Sequence, residues 1–390
     1  MYFRRLGARA NQLIRGFAGI LLAASSTSVF AAYGDLNMTV GVTPISREAY
    51  ELHMLILVIC VIIGIIVFGA MFYSMLKHRK SVGHEPAQFH HSTKAEIIWT
   101  VIPCIILIGM AIPATSALIN MEDTSDADIT IKVTAYQWMW KYEYLDDGVT
   151  LYSNLAPSSR DAIYKDPNSV DHYLLDVDNK IVLPVNKKVR MLLTSDDVIH
   201  AWWVPALGMK KDAIPGFINE LWIRVDEDKA GVYRGQCAEL CGKDHGFMPI
   251  VVEATSEAGY AQWLAGHKSA KAAEQIAAKR PWDHEELMAK GEAVYLTACA
   301  GCHQVDGSGI AGAVPAIRGS KIATGDFEKH LEVVQKGRPG TAMKPFSGQL
   351  SNVELAAVVT YQRNAFGNDT GDLVQPSMIA AARSAEGGGS

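Results

Sequence analysis

The chain has 390 residues, enough for two or three domains, and 49% of them are hydrophobic. Its mean hydropathy of +0.09 is high for a soluble protein, and the cause is local rather than spread along the chain. The net charge is −5 at pH 7, and no segment forms a basic stripe of the kind that neutralises phosphates. We therefore expect no nucleic-acid partner.

The first 31 residues have the pattern of a secretory signal peptide. A positively charged start is followed by a short apolar core at 17–24 and by small residues around Ala31, where a signal peptidase cleaves. The apolar run is too short to span a bilayer. The sequence thus predicts a signal peptide over 1–31 and export of the remainder of the chain.

Two uncharged stretches, 52–76 and 97–119, are each long enough for one transmembrane helix. For either stretch alone, a buried core helix is the alternative. The short loop between them carries Lys77, Arg79, Lys80 and Lys94 against a single acid, Glu85. The positive-inside rule places this loop in the cytoplasm. The segment 32–126 is therefore predicted to contain a two-pass membrane hairpin, with its N-terminus and the C-terminal bulk of the chain on the side opposite the cytoplasm.

From Ile129 the hydrophobic pattern changes to the alternation of β-strands. Ile129, Ile131 and Val133 fall on one side of a strand, and aromatic residues from Trp138 to Tyr144 fall on one side of the next. Further strand-like runs occur at 180–185, 189–194, 220–225 and 247–253. These short runs predict an all-β sandwich or barrel over 127–265.

Soft metal ligands are concentrated on one loop of this predicted β domain. Cys237 and Cys241 are four residues apart, and His245 and Met248 follow; His200 supplies a second imidazole upstream. Thiolate, thioether and imidazole together favour copper over hard cations. A structural disulfide between the two cysteines is the first alternative, since the domain is expected in an oxidising compartment. Zinc is the second, although it has no use for a methionine.

This loop resembles the copper A loop of subunit II of the haem–copper cytochrome c oxidases, Cys-x-Glu-x-Cys-x3-His-x2-Met with a distant His. The resemblance implies a cupredoxin-like, Greek-key fold and a binuclear copper A centre, with two bridging cysteines, one histidine for each copper, a methionine and a backbone carbonyl. These ligands would be Cys237, Cys241, His200, His245, Met248 and the carbonyl of Glu239. Glu239 is also implied to contact a magnesium ion shared with subunit I.

The resemblance extends to two further positions. The aromatic segment 136–144 looks like the subunit II stretch whose tryptophan admits electrons, so Trp138 is the candidate; an aromatic strand face packed in the core is the alternative. The segment 96–103 looks like the one whose glutamate marks a proton-channel entrance, which implies that role for Glu96. Glu96 also fits a capping box that starts at Thr93, and the two roles are compatible.

After a linker of helical propensity at 266–282, the sequence Cys299-Ala300-Gly301-Cys302-His303 is the attachment motif of c-type haem. A thioether ligand is expected on the other side of the iron, and only two methionines lie downstream. Met343 is in a loop before the capping box at Ser351, whereas Met378 is in the tail, so we predict Met343. Residues 283–367 resemble a small class I cytochrome c, all-α, with one covalent haem c. Residues 368–390 are predicted to be disordered.

Together these features resemble subunit II of a cytochrome c oxidase with a fused cytochrome c domain. The resemblance implies a place in the inner membrane of a Gram-negative cell, with the copper and haem domains on the periplasmic side. The implied function is electron input to a respiratory oxidase: from cytochrome c or another respiratory complex, through haem c and copper A, to subunit I, where oxygen is reduced and protons are pumped. Subunit III is an expected further partner. Two helices lack the histidines of an oxygen-reducing core, so none is expected in this chain.

Three other classes of protein fit the residues less well. A nitrous oxide reductase shares the copper A loop, but the chain has no histidine-rich segment for its second copper cluster, and a membrane hairpin would be out of place. A quinol oxidase subunit II would lack the copper ligands. A copper carrier would need neither a covalent haem nor Glu96.

Overall fold

The computed structural model describes residues 37–387 apart from His84, Pro86, Ala87, Phe89, Tyr164, Pro339, Gly340 and Ala342. The predicted signal peptide, 1–31, lies outside the described residues, as do the last three residues of the chain. The elements below all belong to one unit of the structure, Gly41–Ser390.

Two long helices, α1 (Pro44–Lys77) and α2 (Thr93–Glu122), contain the uncharged stretches. Both are long and apolar enough to cross a membrane, and most of their apolar side chains are exposed. Helix α1 begins earlier than its uncharged core because Thr43 and Ser46 form a capping box. Helix α2 is capped by Ser92, whose hydroxyl accepts a hydrogen bond from the N–H of Ala95. The predicted capping box, which pairs Thr93 with Glu96, is therefore wrong.

The middle of the chain forms two five-stranded sheets that pack face to face. The strands are β1 (Ile129–Tyr136), β2 (Met139–Tyr144), β3 (Val149–Ser153), β4 (Ile181–Pro184), β5 (Val189–Ser195), β6 (His200–Val204), β7 (Met209–Ala213), β8 (Asn219–Ile223), β9 (Gly231–Cys237) and β10 (Pro249–Thr255). One sheet has the order β3-β2-β1-β5-β8 and the other β4-β10-β9-β6-β7. This confirms the predicted all-β domain.

Most neighbouring strands are antiparallel, whereas β1 pairs with β5, and β10 with β4, in parallel. Alternating side chains point into the space between the sheets, and Val133, Tyr142, Leu193 and Trp202 are all fully buried there. Trp138 differs from the sequence-based pattern, because it lies in the turn before β2 and is only half-buried. The sequence reasoning did not find β3, β6, β7 and β9, which are short or carry the polar residues of the site.

Helix α3 (Pro157–Ala162) lies between β3 and β4, and α4 (Glu257–Ala277) follows β10. Ser256 caps α4, and Tyr260 and Trp263 on its first turns pack against Tyr144. The helix thus begins within the predicted β domain and runs through most of the predicted linker, held to the sandwich by aromatic contacts.

The C-terminal part is helical: α5 (His284–Ala298), α6 (Ala300–His303), α7 (Phe327–Lys336), α8 (Asn352–Asn364) and α9 (Pro376–Gly387). Its own apolar core includes Leu287, Tyr295, Leu355 and Val359. Helix α8 begins at the predicted capping box, where Ser351 and Glu354 satisfy each other's backbone N–H groups.

The prediction of a disordered tail is wrong for the residues that form α9. Ile379 and Val374 are almost fully buried in the helical core, and Arg383 hydrogen-bonds to Asn352 and to the carbonyl of Leu350. Apolar side chains that pack on α8 give this segment the burial that a disordered tail lacks.

Candidate functional site

Two neighbouring strands hold the cysteine loop and the distant histidine together. Strand β9 ends at Cys237, and β6 begins at His200; the two strands pair antiparallel, with Trp202 opposite Cys237. The N–H of Ala238 donates to the carbonyl of Ala201 at 3.0 Å. This ladder brings a histidine 37 positions away in sequence beside the first cysteine.

The candidate ligands converge on one small volume. The Sγ atoms of Cys237 and Cys241 lie 3.8 Å apart, and Nδ1 of His200 lies 3.9 Å from the sulfur of Cys237. Cys241 Sγ lies 3.4 Å from Nδ1 of His245 and 3.6 Å from Sδ of Met248. The sulfur of Cys237 also faces the backbone carbonyl of Glu239 at 3.3 Å. The structure thus brings together all six atoms expected to bind copper.

The donor set fits a soft metal pair. Both cysteines are free and buried, and each sulfur has a different imidazole beside it. A thioether lies near one sulfur and a carbonyl near the other, so the site offers soft and borderline donors of the kinds that copper prefers.

Burial and hydrogen bonding shift the pKa values of the side chains at this site in opposite directions. Burial lowers the pKa of His200, but the carboxylate of Asp197, 2.9 Å from Nε2, and the sulfur of Cys237 raise it above its ordinary value. Burial raises the pKa of Cys237, yet His200 and nearby backbone N–H groups bring it down to about 7. For Cys241, burial and the neighbouring Cys237 raise the pKa to about 12. A negative charge on one sulfur therefore disfavours a negative charge on the other.

Two tryptophans and a glutamine hold the loop against the turn before β2 and against β2 itself. The indole N–H of Trp138 donates to the carbonyl of Cys241 at 3.1 Å, and the amide of Gln137 donates to the same oxygen at 2.8 Å. The indole N–H of Trp140 donates to the carbonyl of Met248 at 3.2 Å. Trp138 thus contacts the candidate metal loop directly while part of its ring faces solvent.

Asp197 and Gln137 were missed by sequence reasoning. Asp197 comes three residues before His200, a separation at which a carboxylate can orient the second imidazole nitrogen. That spacing was visible in the sequence. Gln137 had no comparable sign, because its role depends on the turn that brings it to Cys241.

The two glutamates of the predicted site are both exposed. The carbonyl of Glu239 faces Cys237, and its side chain remains accessible to a partner. Glu96 lies in the first turn of α2, whereas the β domain follows the last turn. At 1.5 Å per residue, Glu96 lies about 40 Å from the last residue of α2. The structure therefore does not bring Glu96 near the candidate metal loop.

The haem motif begins at Cys299, which caps the C-terminal end of α5, and continues through the short α6. Cys299 is buried, and burial raises the pKa of its thiol to about 12, whereas Cys302 is exposed. Nδ1 of His303 lies 3.0 Å from the carbonyl oxygen of Pro315, which fixes the ring and leaves Nε2 for a metal. Burial lowers the pKa of His303, and this favours the neutral, ligating imidazole.

The two candidate methionines are placed differently. Met343 packs against the core of the helical part, which includes Cys299. Met378 is 41% exposed on α9, and its Sδ accepts from the N–H of Gln375 at 3.5 Å. This placement favours Met343.

Three family models match successive parts of the chain. Residues 31–116 match cytochrome c oxidase subunit II, transmembrane domain, and residues 129–255 match its periplasmic domain. Residues 286–361 match the family described as cytochrome c oxidase, cbb3-type, subunit III.

Proteins with similar sequences are also named as cytochrome c oxidase subunit 2. The probable cytochrome c oxidase subunit 2 of Rickettsia prowazekii is 45% identical over 223 residues, 57% of this chain and 69% of that protein. The subunit 2 of Cereibacter sphaeroides is 36% identical over 243 residues, 59% of this chain and 80% of that protein. The crystal structure of the periplasmic domain of subunit II of cytochrome oxidase from Bradyrhizobium japonicum is 44% identical and covers 37% of this chain and 97% of that chain, with a TM-score of 0.33. The chain therefore belongs to the cytochrome c oxidase subunit II family, as a membrane-anchored member with a periplasmic domain and a cytochrome c domain on its C-terminal side.

Proposed function

We propose that this chain is the electron-input subunit of a respiratory oxidase, in which electrons pass from haem c to copper A and on to subunit I. The observation that carries the proposal is the convergence of four further donor atoms on two cysteine sulfurs that lie 3.8 Å apart. A copper pair bridged by two thiolates shares one electron and rearranges little when it is reduced or oxidised. Oxygen reduction to water and proton pumping belong, in this proposal, to the partner subunit.

The chain's own residues would hold the copper pair and limit its movement. Six groups would hold the copper pair: the thiolates of Cys237 and Cys241, the imidazoles of His200 and His245, the thioether of Met248 and the backbone carbonyl of Glu239. Asp197 orients His200, and the hydrogen bonds of Trp138 and Trp140 hold the loop carbonyls. Strand pairing between β6 and β9 provides the rigid support, so that the ligands need not reorganise.

The helical domain would hold haem c covalently. Cys299 and Cys302 would each form a thioether with the haem, and His303 and Met343 would supply the two iron ligands. The hydrogen bond between Nδ1 of His303 and the carbonyl of Pro315 holds the imidazole in one orientation. A methionine as sixth ligand raises the reduction potential, which suits a haem that receives electrons from cytochrome c or another respiratory complex.

Further roles belong to the proposed assembly. The exposed carboxylate of Glu239 would complete a magnesium site shared with subunit I, and Glu96, at the cytoplasmic end of α2, would mark a proton entrance. Subunit III is a further proposed partner. The hairpin would lie in the inner membrane, with both redox domains in the periplasm.

Metal analysis of the full chain tests the copper proposal. The protein is produced with haem maturation, purified from membranes in detergent, and its copper and iron are counted per chain. We expect two copper ions and one iron, a near-infrared band and an EPR signal of an electron shared by two coppers. Cys237→Ser and Cys241→Ser should each abolish the shared-electron signal.

Cys60→Ser and Cys104→Ser are the matched controls, because both cysteines are exposed on the apolar helices. They should leave copper content unchanged. One iron with no copper, together with a disulfide between Cys237 and Cys241, would refute the copper centre and restore the structural-disulfide interpretation.

Electron entry at Trp138 is tested with two substitutions. Trp138→Phe keeps an aromatic ring but loses the hydrogen bond to the carbonyl of Cys241, whereas Trp138→Ala loses both. If the ring carries the electron, the alanine variant should reduce copper far more slowly than the phenylalanine variant. Wild-type rates in both variants would rule out this entry point.

A further inference from the structure

The helical domain rests on the β domain through the residue that comes after Met343. Nζ of Lys344 donates to Oδ1 of Asn154, beyond the end of β3, at 2.6 Å. The same nitrogen lies 3.8 Å from Sδ of Met139, the first residue of β2. A lysine of the methionine loop thus reaches a polar and an apolar group of the other domain.

The acceptor for this lysine is held in place. Asp178 accepts from the backbone N–H of Asn154 at 2.7 Å and from its side-chain amide at 3.1 Å. Because the N–H₂ group of the Asn154 side chain donates to Asp178, the amide oxygen of that side chain faces Lys344. The carboxylate of Asp178 behind it adds an attraction for the ammonium group.

Two other close approaches lie on the same side of the helical domain. A Cβ at Gly348 would lie 2.1 Å from the hydroxyl oxygen of Tyr152 on β3. A Cβ at Gly301, within the haem motif, would lie 3.0 Å from Cδ of Arg160 on α3. Both predicted haem-binding segments, the Cys299–His303 motif and the Met343 loop, therefore abut the β domain.

A short path leads from this contact to the candidate copper ligands. Met139 is followed by Trp140, whose indole N–H donates to the carbonyl of Met248 at 3.2 Å. The ring of Trp140 also lies 6.1 Å, centroid to centroid, from that of His200. The contact therefore adjoins a buried side chain that touches two of the six proposed ligands.

We propose that Lys344 is a positioning residue that docks the haem edge onto the β2–β3 side of the copper domain, and that the fused haem delivers its electrons there, beside the turn that holds Trp138. The docking face comprises Lys344, Gly348 and Gly301 on the helical domain and Asn154, Tyr152 and Arg160 on the β domain. This inference rests on the proposed function. One electron crosses the face in each transfer, so that the haem iron is oxidised by one unit and the copper pair is reduced by one.

The first test measures docking without any redox reaction. Lysines of the full chain are labelled with an amine reagent, and the extent at Lys344 is compared with that at the exposed Lys329 of the same domain. We expect Lys344 to react several times more slowly. Asn154→Ala should raise its reactivity to that of Lys329, whereas Asn168→Ala, at an exposed asparagine of the β domain, should not.

The second test measures transfer between the two centres in the assembled, metal-loaded oxidase. After rapid reduction of the haem, Lys344→Leu and Asn154→Ala should each slow electron arrival at copper by roughly tenfold, since a hydrogen bond to a charged group shifts an equilibrium by about that factor or more. Asn154→Ala lies outside the methionine loop, so the methionine–iron absorbance band and the haem potential should stay unchanged. Lys344→Arg should restore most of the rate.

A third test uses the close approach of Gly348 to Tyr152. Gly348→Ala should also expose Lys344 and slow transfer, because its methyl group collides with the tyrosine hydroxyl. Adding Tyr152→Phe removes that oxygen and should recover part of both properties, since Cζ of the ring stays 3.1 Å from the added Cβ. A rescue of this kind requires the two residues to meet in the working protein.

The outcomes separate this inference from the proposed function. Wild-type labelling and wild-type transfer in Asn154→Ala and Lys344→Leu, with both metals present, would overturn the docking face and leave the electron-input role intact. A chain without copper would refute the proposed function, while the labelling results would still decide whether the two domains dock through Lys344.

Discussion

The carboxylate of Asp197 lies 2.9 Å from Nε2 of His200, while Nδ1 of the same ring faces the sulfur of Cys237 at 3.9 Å. The ring is thus held from both sides, and its tautomer is set by the acid: a proton on Nε2 leaves Nδ1 free to bind metal. Asp197 is itself held, because it accepts from the backbone N–H groups of Gln137 and Val198, both at 2.6 Å.

Asp197→Asn should therefore weaken copper binding without unfolding the domain. Loss of a partner that orients a ligand costs about 10- to 100-fold in metal affinity. Copper affinity is measured by competition with a chelator in the full chain, and Asp196→Asn at the exposed neighbour is the control. Equal affinities for the two variants would show that the carboxylate does not support the ligand.

Met248→Leu should have a smaller effect than loss of a cysteine. The side chain is almost fully buried and the swap conserves volume, so folding should be little affected. A weak thioether ligand is lost while both bridging sulfurs remain, and we expect copper affinity to fall by roughly tenfold, with an altered EPR spectrum. Met209→Leu, at a buried methionine on β7, should leave both unchanged; an unaltered spectrum in Met248→Leu would exclude the thioether from the site.

The helical domain should lose stability as the pH falls from about 6.5 towards 4. Burial lowers the pKa of His330 to about 4, with a further contribution from the nearby Arg363, although the hydrogen bond to Gln362 opposes the shift. Because the unfolded state takes up a proton first, His330 contributes stability above its unfolded pKa that is lost as the pH falls through this window. The slope is at most about 1.4 kcal/mol per pH unit.

His330→Gln tests that assignment. Glutamine keeps a donor for Oε1 of Gln362, which lies 2.9 Å from Nε2 of the histidine, but has no ionisable group in this range. Denaturant unfolding followed at the haem absorbance should give a flatter pH dependence for the variant. An unchanged slope would mean that another group titrates.

Gly208 is predicted to be sensitive to substitution at the junction of α1 and the β domain. Its φ is +74°, and a Cβ there would lie 2.5 Å from Cα of Ser46 in the first turn of α1. Gly216 has φ +76° with nothing within 4 Å of its hypothetical Cβ, so it is a matched control for the backbone strain alone. Both alanine variants should lose about 1–2 kcal/mol from the positive φ.

Gly208→Ala should lose about 2 kcal/mol more, because backbone must move to admit the methyl group. Thermal unfolding of the β domain in detergent compares the two. Similar melting temperatures would indicate that α1 and the β domain do not pack at this point.

Much of this protein is determined by short-range features of the sequence. The haem motif needs only two thiols and a histidine at fixed spacing, and a membrane helix needs only an uncharged run of sufficient length. The donor types on the cysteine loop suit copper wherever the loop lies. For the same reason the alternation from Ile129 predicted a β domain, although four of its strands escaped notice.

Only the tertiary structure decided which distant surfaces meet. The pairing of β6 with β9 brings His200 and Asp197 to the cysteine loop, and packing on α8 orders Ile379 in a tail whose composition predicted disorder. The contact of Lys344 with Asn154 joins residues 190 positions apart. Local sequence encodes the chemistry of a motif, but burial and docking depend on the complementarity of two surfaces, and neither surface exists until the chain has folded.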